Sequence, residues 1–295
     1  MALFSGLTIL LAFGLDHLGE PPSKLHPVVW MGNYLQLARR VLKKGFLPGL
    51  LGWGVGAGLV VLVALVVQIL LQLFPTGIQL LLLTLCLKPL MAWKALKQAG
   101  EKVLDAPTLP EARQELSWHL VSRNTSELSE SEVMGAAMES VAENLSDSLV
   151  APLFWFLVGG LPMVAFYRFC NTADAMWGYR SLELEHFGKV AARMDDVLNL
   201  IPARLTGGLI CAVGKSERAF QTMLRDAQMT PSPNSGYPMA ALAGLLGVKL
   251  SKRETYVLGA EFREPERKDL QETLSVLHRV AWVAVALLAV VACFR

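Results

Sequence analysis

Apolar and polar positions alternate along this chain in blocks of helical length. From Leu50 to Phe74 no ionisable residue appears, and from Val276 to Phe294 only His278 and Arg279, near the start, interrupt the apolar run. As helices, both stretches are long enough to cross a hydrocarbon core of about 30 Å. Residues 78–93 form a shorter run with Lys88 and Pro89 near one end. A lysine there reaches the interface along its own methylenes, so the pattern predicts a return span. Residues 2–15 are apolar but lack the basic leader and small-residue cleavage site of a secretion signal, and they are expected to form a retained first helix. Residues 150–169 are apolar enough to span, yet they contain Gly159-Gly160-Leu161-Pro162. Broken backbone at membrane depth is tolerated only where protein or a watery cavity surrounds it. A re-entrant hairpin is preferred over a full span, because both flanks carry polar residues suited to one site. Residues 200–213 are short and hold Arg204, which predicts a cavity-lining or interfacial helix rather than a span.

Composition sharpens this picture. Hydrophobic residues make up 53% of the chain and charged residues 18%, with a mean hydropathy of +0.43. Those values exclude an ordinary soluble enzyme and define an all-α, polytopic integral membrane protein with re-entrant or broken helices. Between the first helix and Leu50, Lys24, Arg39, Arg40, Lys43 and Lys44 stand against Glu20 alone downstream of Asp16, which marks that loop as cytoplasmic. Counting spans from there puts the N-terminus outside and the polar portions 94–149 and 170–275 in the cytoplasm, within a single membrane-embedded domain covering 1–295. The net charge of +2 gives no footprint for nucleic acid. Cys86, Cys170, Cys211 and Cys293 are far apart and show neither zinc spacing nor a disulfide framework.

Four polar clusters carry candidate chemistry. On a helix, Glu139, Glu143 and Asp147 stack at i, i+4 and i+8 with Asn144 beside them. Such a stripe repels itself by a few tenths of a kcal/mol per pair unless a metal ion or a cationic group sits against it. A solvated acidic face is the plain alternative, but this stripe runs directly into Leu149 and Val150. In the second cluster Tyr167, Asn171, Asp174 and Gly178 fall on one helical face with Arg168 at its edge, an arrangement suited to a polyanion held through a metal. Mutual pairing of Arg168 and Asp174 is the alternative. The third holds Arg193 and Arg204, natural forks for phosphate or carboxylate, with Asp195 and Asn199 at i, i+4. The fourth, Ser232 to Pro238, is a rigid turn carrying Asn234 and Tyr237 whose backbone amides can wrap a ligand. His17 and His26 are candidates for a base or ligand, and a helix cap is the simpler role for each. Residues 208–216 approximate a phosphate-binding loop, but five residues rather than four separate the glycines.

Taken in order, these clusters resemble the CbiB/CobD family of cobalamin biosynthesis, the adenosylcobinamide-phosphate synthases of the inner membrane. The matching pieces run from Asp16…Gly19…Pro21-Pro22…His26-Pro27…Gly32 through Ser122-Arg123-Asn124-Thr125 and Glu139-Ser140-Val141-Ala142-Glu143-Asn144…Asp147. Tyr167-Arg168…Asn171-Thr172…Asp174…Gly178-Tyr179, Arg193…Asp195-Asp196…Asn199…Arg204 and Ser232-Pro233-Asn234-Ser235-Gly236-Tyr237-Pro238 complete them. The chain departs from the family pattern at Asn124 and Glu20, where aspartate is usual. The resemblance implies ATP-dependent amide formation between adenosylcobyric acid and 1-amino-2-propanol O-phosphate or a close analogue, at a cytoplasm-facing site of the bacterial inner membrane. It implies Mg²⁺ held by Glu139, Glu143, Asp147 and Asp174, with catalytic roles for Glu143, Asp147 and Asp174. Arg123, Asn144, Arg168, Asn171, Arg193, Arg204, Asn234 and Tyr237 would bind substrate and phosphates. The corrinoid would rest on an apolar surface around Trp155, Trp177 and Tyr237, and other membrane proteins of the cobalamin pathway are candidate partners.

Three other readings share these residues. A prenyltransferase-like enzyme uses acidic helix motifs to bind Mg²⁺-diphosphate, and Asn144…Asp147 and Asn171…Asp174 approximate such motifs. A cation transporter uses intramembrane carboxylates as a pathway and predicts an inverted repeat, which the hydropathy pattern lacks. A non-catalytic regulatory membrane protein has no need of so many aligned carboxylates and arginines.

Overall fold

Helices dominate the computed structural model, which describes residues 2–178 and 184–294. In chain order they are α1 (Ala2–Asp16), α2 (Pro27–Val41), α3 (Phe46–Leu71), α4 (Thr76–Leu87), α5 (Trp93–Asp105) and α6 (Leu109–His119). After them come α7 (Glu130–Leu145), α8 (Ala151–Trp177), α9 (Lys189–Gly214), α10 (Glu217–Asp226), α11 (Gly236–Leu246) and α12 (Arg267–Cys293), with a two-stranded hairpin, β1 (Leu250–Lys252) and β2 (Tyr256–Leu258), before α12. Five helical stretches among the described residues are long and apolar enough to cross a membrane: Phe46–Leu71, Thr76–Asp105, Glu130–Trp177, Lys189–Gly214 and Arg267–Cys293. The protein is an all-α polytopic membrane protein.

The chain packs as two compact units that interleave in sequence. One comprises Met1–Ala92, Ala151–Leu198 and Val285–Arg295, the other Trp93–Val150 and Asn199–Ala284. In the first unit α3 packs against α8, with α2 against both. The buried positions of α3 are Gly49, Gly52, Gly56, Ala57, Ala64 and Leu71. Its exposed positions are large aliphatics, among them Leu51, Val55, Leu59, Leu62, Val66 and Ile69. Small residues inside and large apolar ones outside invert the pattern of a water-facing helix, as expected where lipid is the solvent. Gly56 shows why: a β-carbon there would lie 2.5 Å from the Phe169 ring.

α8 breaks where the sequence predicts. Gly159 and Gly160 leave helical geometry, and Gly160 has φ of +67°, a conformation that favours glycine. The break frees the backbone amide of Leu161, which donates to Gln68 Oε1 of α3 at 2.8 Å. A polar side chain in an otherwise apolar helix thus satisfies broken backbone in the neighbouring one.

Two expectations are corrected. Residues 200–213 do not form a short interfacial helix; α9 runs unbroken from Lys189 to Gly214 and is long enough to span. Pro202 has no N–H to offer the Leu198 carbonyl, but Trp155 Nε1 donates to that carbonyl at 3.0 Å, so the helix continues through the proline with its freed acceptor satisfied. Lys88 does not reach an interface either, since its side chain is 8% exposed. Its ammonium lies 2.7 Å from Glu20 Oε2 and 3.8 Å from Asp16 Oδ1. Two carboxylates hold it inside. His26 closes the same cluster, with Nε2 3.2 Å from Glu20 and Nδ1 accepting the Val28 N–H to cap α2. Asp16, Glu20 and His26 of the N-terminal motif therefore join α1, α2 and the end of α4.

In the second unit α10 packs on α11, and α7 packs against α5, α6, α11 and β1. A full capping box starts α7: Ser129 Oγ accepts the Glu132 N–H and the Glu132 carboxylate accepts the Ser129 N–H. That box fixes the phase of the helix carrying Glu139 and Glu143.

Candidate active site

The second unit holds a polar pocket of about 200 Å³ against α7. Glu139, Glu143 and Asn144 line it from the helix, Arg123 from the preceding loop, and Lys252 and Tyr256 from the hairpin. Glu139 is 5% exposed. Its Oε2 lies 4.0 Å from Arg123 Nη2, beyond hydrogen-bond length, and its Oε1 is buried with no hydrogen-bond partner. Asn144 is held by its amide, which donates to the Ser140 carbonyl at 2.8 Å, while the Ser140 hydroxyl donates to the Leu120 carbonyl at 2.7 Å. Burial, and then the Glu139 and Glu143 carboxylates beside it, hold the Tyr256 hydroxyl above its ordinary pKa, so it stays protonated. Asn124, where the resemblance leads one to expect aspartate, uses Oδ1 to accept the Ser126 N–H at 2.9 Å. That turn needs only an acceptor, which asparagine supplies.

Asp147 departs from the expected stripe. The backbone widens into a π turn over Ser146–Val150, which takes Asp147 out of the i, i+8 register, and it does not line the pocket. Single π turns recur at functional sites.

Lys252 and Tyr256 were missed by sequence reasoning. They face each other across the hairpin as a directly paired couple, so both side chains leave the same face. Strands of three residues give too little alternation to read. The one local signal is the three-residue turn Arg253-Glu254-Thr255, with Glu254 at φ +57°. Arg253 ties that turn to the capping box of α7, its Nη2 lying 2.6 Å from Glu132 Oε2.

A second cluster lies in the first unit, on the C-terminal half of α8 and the start of α9. Arg168 Nη1 donates to Asn171 Oδ1 at 3.3 Å, and Asn171 Nδ2 donates to Asp195 Oδ1 at 3.2 Å. Asp174 is half-buried, and Asp196 is near enough for the two charges to repel. Gly178 packs directly on the Asp174 carboxylate, where no β-carbon fits. Arg193 is exposed on α9, and Tyr179 lies outside the described residues. Tyr167 is fully buried with Cys170 and Leu198 rather than presented to a ligand.

A third cluster, in the second unit, joins Arg204 to the Ser232–Pro238 turn. The guanidinium lies 4.1 Å from the Tyr237 ring centroid. It donates to the Leu200 carbonyl at 2.7 Å and approaches Asn234 Oδ1 at 3.5 Å. Stacking and hydrogen bonding orient the fork before any anion arrives.

The aromatic residues expected to carry a corrinoid are engaged within their own units. Trp177 is 1% exposed, packed edge-on against Phe187, Trp155 is committed to the Leu198 carbonyl, and Tyr237 lies beside Arg204. The first unit instead contains an apolar cavity of about 410 Å³, lined by Trp30, Tyr34, Leu90 and Phe169 among others. Among the described residues no three or more His, Cys, Asp and Glu side chains gather closely enough to form a metal cage.

Fold and charge clusters together define a helical membrane protein with a polar pocket and separate clusters of carboxylates and arginines. The family model described as "CobD/Cbib protein" matches residues 9–284. The chain is 39% identical to the "Probable cobalamin biosynthesis protein CobD" of Methanothermobacter thermautotrophicus, over 85% of this chain and 86% of that protein. It is 40% identical to the protein of the same name from Thermococcus kodakarensis, covering 95% and 94%, and 39% identical to the "Cobalamin biosynthesis protein CobD" of Geobacter metallireducens, covering 94% and 90%. No solved structure matches it. The chain belongs to the CobD/CbiB family of cobalamin biosynthesis.

Proposed function

We propose that the protein is an amide-forming synthase that joins adenosylcobyric acid to 1-amino-2-propanol O-phosphate, or a close analogue, with ATP as co-substrate. The observation that carries the reading is the α7 pocket, where buried Glu139 and neighbouring Glu143 share a mainly polar space with Arg123 and Lys252. Its site faces the cytoplasm of a bacterial inner membrane, on the charge asymmetry of the loop before α3.

A carboxylate is a poor electrophile. In the first step one of its oxygens attacks the γ-phosphorus of ATP, the bond to the ADP oxygen breaks, and an acyl phosphate forms. The amine nitrogen then attacks the acyl carbon, the carbon–oxygen bond to phosphate breaks, and inorganic phosphate leaves. The nitrogen loses a proton, which Glu143 accepts. Within the first unit Arg168 and Arg193 are the candidate grips for phosphate oxygens, with Asn171 beside Arg168, and within the second unit Arg204 is one, with Asn234 beside it. Mg²⁺ commonly takes one or two protein carboxylates and completes its shell from substrate phosphates and water, so a three-residue cage is not required. The adjoining Asp174 and Asp196 carboxylates fit such an ion, and Glu139, Glu143 and Asp147 are the remaining candidates. When bound, it would neutralise charge on the transferring phosphoryl group.

The test is an assay of the purified protein with adenosylcobyric acid, ATP, Mg²⁺ and 1-amino-2-propanol O-phosphate, following corrinoid by mass. Amide product with stoichiometric ADP is expected. Absence of product in both detergent and liposomes overturns the reading.

A further inference from the structure

The apolar cavity of the first unit borders two interruptions in its helices. α8 resumes at Leu161 after the Gly159-Gly160 break, and a 3-10 turn over Lys88–Leu90, with Pro89 inside it, ends α4. Leu161, Pro89 and Leu90 all line the cavity. Gly56, Ala64 and Ala165 line it too, at positions where a larger side chain would take up the space.

The lining offers nothing for a polar ligand to hold. Among the described residues around it none is charged. The Tyr34 hydroxyl donates to the Gly52 carbonyl at 2.8 Å, and Trp30 Nε1 donates to the Lys24 carbonyl at 2.9 Å. Both polar handles are therefore committed elsewhere. A nucleotide or another phosphorylated molecule brought here would lose its water and find no partner. A hydrocarbon loses nothing and gains dispersion contacts on every wall.

Shape and position select a chain. α3 lines the cavity from Gly56 to Val67, a rise of about 16 Å at about 1.5 Å per residue. The volume of about 410 Å³ holds roughly fourteen groups the size of a water or a methylene, at about 30 Å³ each. Spread along that length it is one hydrocarbon chain wide, and a helix about 10 Å across is too thick to enter. Leu59 and Val63 stand at the rim and are exposed, and both belong to the aliphatic face that α3 turns to lipid. Ala64, Leu161, Ala165 and Phe169 form the floor and are buried. The cavity is thus a groove continuous with the lipid face.

We propose that this groove binds one acyl chain of a bilayer phospholipid, laid along α3 and backed by α2 and α8. The site goes beyond the synthase reading and does not depend on it, since none of its lining residues is assigned to a substrate. The bound chain differs from boundary lipid in its contacts: it reaches floor residues of α3 and α8 that the surrounding bilayer does not.

The test places full-length protein in nanodiscs of phosphatidylcholine carrying a photoreactive diazirine in mid-chain, and maps the adducts by peptide mass. Adducts are expected on the floor residues Leu161 and Phe169 as well as on Leu62 and Val66, which are exposed on α3 and open to any boundary lipid. Ala64→Phe and Ala165→Phe place a ring in the groove from α3 and from α8. Each should cut the floor adducts at least about fivefold and leave those on Leu62 and Val66 within about twofold. In detergent, phosphatidylcholine added to the delipidated parent should raise its thermal midpoint by about 4 °C, the shift that a ligand at about a hundred times its Kd gives a chain of this size. The filled variants should start at or above the delipidated parent, which shows that they fold, and should shift by less than about half as much.

Adducts confined to Leu62 and Val66 overturn the proposal. So does an unchanged yield of floor adducts in both filled variants. Stabilisation of the delipidated parent by a free fatty acid or a corrinoid, where phosphatidylcholine gives none, overturns it in favour of that occupant. None of these readouts uses turnover, so the groove and the synthase stand or fall separately.

Discussion

Two carboxylates in the second unit, Asp226 and Glu143, differ in what surrounds them. Asp226 is 2% exposed and fully engaged, with Arg225 Nε at 2.6 Å and the Gly259 N–H at 2.7 Å. The Arg225 guanidinium holds its carboxyl below the usual aspartate range, against burial and with help from the Gly259 amide. A lowered folded-state pKa gives stability that is present above the unfolded value, about 3.9, and is lost as pH falls through the folded value. D226N should therefore lower stability by about 2 kcal/mol at pH 7, the scale of a charged hydrogen bond. Its thermal midpoint should converge with the parent's below about pH 4. A constant gap across that range would remove the electrostatic account. Glu143, by contrast, lines a pocket, and the proposed synthase reaction gives it the amine proton to accept. E143Q keeps the shape and loses the proton acceptor, so kcat should fall by about 10²–10⁴-fold with the fold intact. A variant retaining more than about half the parent rate would take the base role away from Glu143.

At the scale of elements, the break in α8 and the continuity of α9 turn on single hydrogen bonds. Q68L leaves the Leu161 amide without its acceptor where water is scarce, and should cost about 1–3 kcal/mol. Thermal unfolding of the purified protein in matched detergent measures this, and an unshifted midpoint would show that another group satisfies the amide. W155F does the same to the Leu198 carbonyl. The two cases also explain what could be read from sequence. Gly-Gly-Leu-Pro announces a break because two glycines and a proline lack, locally, the means to hold a helix. Pro202 and Arg204 suggested that residues 200–213 are a fragment, and the indole that rescues the ladder comes from Trp155, distant in sequence. Lys88 was misplaced for the same reason, since Asp16 and Glu20 reach it only through the tertiary fold. At the site, the phase of Glu139 and Glu143 was legible from helical spacing. The π turn that displaces Asp147 and the hairpin that brings in Lys252 and Tyr256 were not, because neither leaves a periodic trace.

For the molecule as a whole, lipid and water sort the surfaces. The exposed aliphatic stripe of α3 has no polar interruption from Leu51 to Ile69 except Gln68, which turns to α8. The basic loop before α3 and the turn of residues 72–75 after it then lie on opposite sides of one bilayer. If the hairpin turn beside the α7 pocket shares the side of the basic loop, that pocket receives substrates made in the cytoplasm. Single cysteines in a cysteine-free background test both statements. With a membrane-impermeant maleimide on oriented vesicles, Lys43→Cys and Glu254→Cys, the latter in the exposed hairpin turn, should label only from the cytoplasmic side. Thr76→Cys should label only from the other. Labelling of Glu254→Cys with Thr76→Cys would move the pocket outside, where ATP is scarce, and with it the case for an ATP-dependent synthase would fall, whatever the pocket binds.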